Sequence, residues 1–153
     1  MVHTMQITSL LTPGRTVCRA TADTKRGALE ILAGAIARDI PNLDAEDLLR
    51  RFLARERLGT TGIGHGIAIP HCRIDNSVGA VGALVTLVAP VNFDALDSRP
   101  VDILFAMMVP ENAHQEHLQN LAALASAFNK EQFRQNLRQA TTDDELYQAA
   151  INP

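Results

Sequence analysis

The sequence predicts an α/β fold: a single domain whose central sheet is covered by helices on both faces. Three observations carry this. Ala80–Val88 reads as a continuous apolar run and Val101–Val109 as a second one past Asp102, both of strand length, the pattern of strands buried on both sides. Several amphipathic helical patterns accompany them, and helices are what covers such a sheet from above and below. The 153 residues contain no repeat, no low-complexity segment and no linker, and they suffice for one real core.

Met1 to Gly14 reads as a lead-in ending in a Pro13-Gly14 turn, and Thr16–Arg19 as a short strand. Thr24 caps a helix that runs to about Arg38, with Ala28, Leu29, Leu32, Ala35 and Ile36 at helical spacing. Asp39-Ile40-Pro41 stops it, because proline cannot continue a helix. Asp44 is the N-cap of a second helix, with Leu43 and Leu48 at the spacing of a hydrophobic staple. Asp44, Glu46 and Asp47 suit the positive end of its dipole. Leu48, Leu49, Phe52 and Leu53 form the buried stripe, and Gly59 ends the helix after Leu58. Its later turns carry Arg50, Arg51, Arg55 and Arg57, cations that complement a helix C-terminus. At least one of them stands close enough to the following segment to serve an anion held there.

That segment is Gly62-Ile63-Gly64-His65-Gly66-Ile67-Ala68-Ile69-Pro70-His71. The alternating glycines read as a tight loop. Ile67-Ala68-Ile69 reads as a short buried strand; Pro70, which has no N–H to donate, closes it or sits at an edge. His71 is thereby delivered at a strand end by a stiff neighbour. Asp75-Asn76-Ser77 is a polar turn, and Asn92–Pro100 is a polar connection around Phe93. Asp102 stands at the entrance of the second apolar strand and Pro110 stops it. Glu111 to Asn129 is helical in pattern, with Leu118, Leu121, Ala122, Leu124, Ala125 and Phe128 on one face and His114 and His117 in its first turns. Glu131–Arg138 is a further helix with Phe133 and Leu137 inside. Thr142 and Glu145 match a capping box before Leu146, Tyr147 and Ile151.

Composition excludes several functions. At 46% hydrophobic and 20% charged the chain is an ordinary globular one, and a net charge of −3 gives no electrostatic reason to expect nucleic acid. No apolar run approaches the ~20 residues of a membrane helix, so the protein is not expected to be membrane-embedded. The N-terminus does not read as a signal peptide, which points to the cytoplasm. Cys18 and Cys72, far apart, read as free thiols. Tryptophan is absent and aromatics are few, which weakens a stacking platform for bases or sugars.

The chemistry narrows to histidine. There is no C-x-x-C and no H-E-x-x-H, and no acidic partner stands at ligand spacing beside His114 and His117, so no metal is expected. G-x-S-x-G is absent. The glycine stretch lacks the Gly-Lys-Ser/Thr of a phosphate loop, and it opens a strand rather than a helix, unlike a dinucleotide fingerprint. No cofactor is expected. What remains is an imidazole nucleophile that attacks a phosphoryl group and holds it covalently. Such a site needs cations or donors for the phosphoryl oxygens, a task that suits the planar arginine fork. His71, an arginine among Arg50 to Arg57, and either His114 or His117 supply these parts.

The stretch Arg55-Glu56-Arg57-Leu58-Gly59-Thr60-Thr61-Gly62 through Pro70-His71 closely resembles the phosphorylation-site region of enzyme IIA domains of the fructose/mannitol type. These belong to the bacterial phosphoenolpyruvate-dependent phosphotransferase system. Pro100-Val101-Asp102-Ile103-Leu104-Phe105-Ala106 and Val109-Pro110 look like the family's central strand. His117-Leu118-Gln119-Asn120-Leu121-Ala122 looks like its second histidine motif, and Glu145-Leu146-Tyr147 like its last helix. The similarity covers most of the chain from about residue 7. It implies a mixed sheet with helices on both faces and one such domain over residues 1–153, its core at about 7–151. It also implies that His71 is the phosphorylated residue, His117 the second active-site histidine and Arg55 the arginine beside the phosphoryl group. Cys72 and Arg73 stand where a Gly-Lys pair is common, and His65, read as a loop residue, where the family often has another polar side chain.

Within the family the chain looks most like the nitrogen-regulatory branch. The resemblance thus implies a cytoplasmic phosphocarrier that accepts phosphate from an HPr-like carrier and regulates target proteins. The alternatives are a sugar-transport enzyme IIA that passes phosphate to a IIB domain, and a regulatory binding domain of the same fold without phosphotransfer.

Overall fold

The described residues, 7–75, 79–113 and 115–153 of a computed structural model, form six strands and five helices. In chain order these are β1 (Thr16–Ala20), α1 (Lys25–Asp39), α2 (Ala45–Leu58), β2 (Gly62–Gly64), β3 (Ile67–Ala68) and β4 (His71–Ile74). β5 (Val81–Val91), β6 (Val101–Pro110), α3 (Gln115–Phe128), α4 (Glu131–Gln139) and α5 (Asp143–Ala150) follow. His3, His114, Asn76 and Ser77 lie outside the described residues.

The two apolar runs are the central pair. β5 and β6 are antiparallel, with Val81 opposite Met108 and Val85 opposite Leu104. β1 lies parallel to β5 on one side. β3 and β4 lie parallel to β6 on the other, and β2 is antiparallel to β3. The sheet is therefore mixed, in the order β1-β5-β6-β3-β2 with β4 also on β6. Side chains alternate across it. Ala83, Val85, Leu104 and Ala106 join Leu29, Leu32 and Phe52 of α1 and α2 in one core. Leu84, Phe105 and Met107 join Leu124, Phe128 and Leu137 of α3 and α4 in the other. Each layer removes a large apolar area from water, which is why both central strands read as continuous hydrophobic runs.

The predicted caps are present. The Thr24 hydroxyl accepts from Gly27 N (3.0 Å), Asp44 from Glu46 N (3.4 Å) and Thr142 from Glu145 N (3.1 Å). The carboxylate of Glu145 accepts from Thr141 N (3.1 Å), one residue before the position a capping box requires.

Four local features differ from the sequence reading. The lead-in is part of the core: Ile7, Leu10 and Leu11 are buried among two short 3-10 turns, Ile7–Ser9 and Pro13–Arg15. Arg15 fastens it by donating to the carbonyls of Gly82 (2.8 Å) and Leu10 (2.9 Å) and by pairing with Asp39. Gly62–Gly64 is a strand, so the loop contracts to the two-residue turn His65-Gly66, both at positive φ (58° and 80°), the geometry that matches hairpin twist. The positive φ of Gly66 favours glycine, and a side chain there would also press on the ends of Arg138 and Asp102, which pair beside it. Third, α3 begins at Gln115 rather than Glu111, because Glu111–Ala113 carries no buried apolar anchor and closes a turn from Ala113 N to the Pro110 carbonyl (3.1 Å).

The fourth difference concerns His71. Ile67 pairs with Ile103, Ala68 with Leu104 and His71 with Met107, one constant register along β6. Pro70 therefore interrupts a strand rather than closing it, and its carbonyl still accepts from Met107 N (2.8 Å). His71 is the first residue of β4, not the last residue of β3.

Candidate active site

His71 and Cys72 face opposite sides of the sheet, as adjacent strand residues must. Ile67 and Ile69 pack into the α3/α4 core, and Ala68, Cys72 and Ile74 into the α1/α2 core. His71 is consequently on the α3 side, half-buried. His117, the third residue of α3 and only 6% exposed, lies against it with the ring centroids 5.3 Å apart.

Arg55 comes from the other layer. β4 pairs with β6 on one side only, which leaves its outer edge open to the last turn of α2. Arg55 Nε donates to His71 Nε2 (3.0 Å), and its Nη1 donates to the Gly59 carbonyl (2.9 Å). His71 Nδ1 donates to the Ile69 carbonyl (2.8 Å). That bond fixes the Nδ1–H tautomer and places the ring's lone pair at Nε2. Arg51 is engaged elsewhere, with Asp47 (2.9 Å) and the Arg73 carbonyl (3.1 Å), and Arg50 pairs with Asp47 (3.1 Å). Of the four arginines the sequence offered, Arg55 is the one that meets His71.

Two supporting residues escaped the sequence reading. Glu56 is buried and accepts from Lys25 Nζ (3.1 Å), from Thr61 N (3.1 Å) and from the Thr61 hydroxyl. It locks the end of α2, hence Arg55, to the start of β2. Its signal was its position four residues after Phe52, on the apolar stripe. Arg73 donates from Nη1 to the carbonyls of Glu111 and Ala113 (3.3 Å each), tying the approach to α3 onto β4. His65 stays in the hairpin turn, donating its N–H to Asp97 (2.9 Å) and accepting at its carbonyl from Arg138 (2.7 Å). Arg51, Arg55, Leu58, His71, Arg73 and His117 line one open cavity of about 490 Å³. Among the described residues no group of three or more His, Cys, Asp or Glu is placed to hold a metal ion. No helix is long and apolar enough to cross a membrane.

The family model of the phosphoenolpyruvate-dependent sugar phosphotransferase system, EIIA 2, matches residues 9–152. The chain belongs to this family. A nitrogen regulatory protein of Pseudomonas aeruginosa is 42% identical over 148 residues, 97% of this chain and 96% of that one. The crystal structure of nitrogen regulatory protein IIA-Ntr from Neisseria meningitidis matches with a TM-score of 0.86 at 34% identity, covering 94% of this chain and 98% of that one. The crystal structure of IIA mannitol from Escherichia coli shares the fold, with a TM-score of 0.76 at 21% identity over 92% of this chain and 98% of its own.

In this EIIA 2 chain both histidines are held neutral at pH 7. Burial lowers the His71 pKa and the Arg55 and Arg73 cations add to it, against the pull of the Ile69 carbonyl. Burial pushes His117 down to about 4, and the Arg73 and Arg55 cations, joined by His71 whenever that ring is protonated, act in the same direction. The N-terminal end of α3 also disfavours a cation there. His117 Nδ1 is buried and has no hydrogen-bond partner among the described residues.

The buried His117 carries a pH signature. An unfolded histidine takes up its proton near pH 6.5, whereas His117 in the fold waits until about pH 4. Between these values the unfolded chain binds more protons, so stability falls as pH falls, by up to about 3 kcal/mol from this residue. Urea denaturation of wild type and His117→Gln at pH 7 and pH 4 isolates the effect from the carboxylates, and the variant is expected to lose less. The same loss in both proteins would contradict it.

Cys18 and Cys72 are both free thiols. Burial pushes Cys72 up to about 12, so no thiolate is available beside His71. Iodoacetamide at pH 8 is expected to leave Cys72 unmodified until urea unfolds the chain. Peptide mass mapping reads this, and alkylation of Cys72 in the folded protein would count against it.

Proposed function

We propose that this EIIA 2 chain is a cytoplasmic regulatory phosphocarrier that takes a phosphoryl group onto His71 Nε2 from an HPr-like carrier and acts on target proteins according to its phosphorylation state. The observation that carries the reading is the commitment of His71 Nδ1–H to the Ile69 carbonyl, which leaves Nε2 as the nucleophile. As the Nε2–P bond forms, the donor's N–P bond breaks, and the proton stays on Nδ1, hydrogen-bonded to the Ile69 carbonyl. That carbonyl stabilises the positive charge the ring gains. Arg55, which rests on Nε2, moves off the lone pair and onto the phosphoryl oxygens, where its fixed charge opposes theirs. A neutral His117 donates to another oxygen, and the phosphoryl group then satisfies a ring that otherwise has a buried orphan nitrogen.

Regulation is favoured over sugar import by similarity along the whole chain: a nitrogen regulatory protein is 42% identical over 97% of it, against 37% over 76% for a fructose-specific EIIA component of Haloferax volcanii. The test is incubation with enzyme I, a purified HPr-type carrier and phosphoenolpyruvate. A gain of one phosphoryl group by intact mass is the expected result. No gain, with the carrier itself phosphorylated, would refute the reading.

A further inference from the structure

Arg134, on α4, is 9% exposed and its Nη1 donates to the Phe128 carbonyl (2.8 Å). Among the described residues no carboxylate pairs with it. A buried guanidinium without a counter-ion is costly, so its charge calls for an anion. Arg134 lines a cavity of about 310 Å³ at the hairpin end of the sheet, together with Arg99 and Arg138. Arg138 is already neutralised by a bidentate pair with Asp102 (2.9 Å on both oxygens). Asp102 is the sole carboxylate among the described residues lining this cavity or the adjoining one of about 280 Å³, which Arg19 enters.

Arg19 is aimed there by the backbone. The register of β1 shifts between Val17 and Ala20, and Arg19 itself takes a φ of 53°, a left-handed conformation that a non-glycine residue adopts at a cost. Its Nη2 donates to the Arg138 carbonyl (3.4 Å). Arg99 and Arg134 thus line the larger cavity and Arg19 the adjoining one, on a chain whose net charge is −3; among the described residues none of the three forms an ion pair with a carboxylate, and the Arg99 cation also acts on the nearby Asp97.

We propose that this cleft is a second oxyanion site, and that it binds a small phosphomonoester. Planar arginine forks match phosphoryl oxygens, and several unneutralised cations suit a dianion better than a single carboxylate. The volume sits at the lower end of small-molecule sites, which fits a small ester rather than a nucleotide. The site is distinct from the one at His71: Gly66 and His71 are five residues apart along one strand direction, about 16 Å. It stands whether or not His71 carries phosphate.

Titration of the full chain with glycerol 3-phosphate, followed by amide NMR shifts, tests it. Inorganic phosphate is the parallel arm and sodium chloride at matched ionic strength the blank. Saturable shifts are expected at Gly66, Arg99 and Asp102, absent with chloride and tighter for the ester than for inorganic phosphate. Arg134→Met and Arg99→Ala are each expected to weaken binding about tenfold, the loss of one charge-assisted contact. If Arg134→Met does not fold, the exposed Arg99→Ala decides alone. Shifts confined to the surroundings of His71, absence of saturation, or unchanged affinity in Arg99→Ala would overturn the site. Equal affinity for ester and inorganic phosphate would overturn the choice of ester.

Discussion

His71→Ala is expected to abolish the phosphoryl label that an HPr-type carrier delivers to this chain. The bond formed to Nε2 is a phosphoramidate, so the wild-type label survives alkali and is lost in mild acid, unlike phosphoserine. His71 is held between Pro70 and the β6 ladder, with its ring turned by the Ile69 carbonyl. His117 Nδ1 has no such partner among the described residues, and the ring is buried with a pKa of about 4. In the proposed transfer it donates to a phosphoryl oxygen, and His117→Ala is expected to slow exchange with the carrier on the order of 10²-fold without removing the label. His65→Ala, at the far end of the hairpin, is expected to leave both unchanged. A label that persists in His71→Ala and disappears in His117→Ala or His65→Ala would overturn the assignment.

Arg55→Ala is expected to lower the rate of phosphoryl transfer about 10²–10³-fold, the usual loss for one preorganised donor to a developing anion. Arg51→Ala is expected to cost far less. Arg51 is one helical turn away, and its partners are Asp47 and the Arg73 carbonyl rather than His71. Arg55→Ala also has a readout that mere loss of structure would not give. The Arg55 cation is one of the influences that lower the His71 pKa, after burial, so its removal should raise the value that ring NMR reports. Wild-type transfer rates in Arg55→Ala would sink the role.

Particular residues show where the sequence was legible. Thr24, Asp44, Gly59 and Thr142 announced helix ends correctly, because a cap is satisfied within a few residues of itself. The run Ala80–Val88 announced a doubly covered strand because burial on both faces removes the alternation, and that burial holds over Val81–Leu87. The lead-in failed because Ile7, Leu10 and Leu11 are too few to show a period, and their burial depends on Gly82 accepting Arg15 across the sheet. Gly62–Gly64 failed because glycine signals freedom, and only pairing with β3 turns that freedom into a strand.

The sequence by itself determined the α/β class, the order of the helices and main strands, and the small set of histidines and arginines from which a phosphoryl site is assembled. These are properties of local periodicity and local chemistry. Only the tertiary structure decided which members meet. His71 and Arg55 are 16 positions apart and arrive from opposite layers, joined because β4 leaves one edge open. The tautomer of His71, the locking of α2 by Glu56 and the unpaired charge of Arg134 depend on carbonyls, carboxylates and cavities that distant segments supply. Contacts of that kind follow from how the chain closes on itself, which no window of neighbouring residues records.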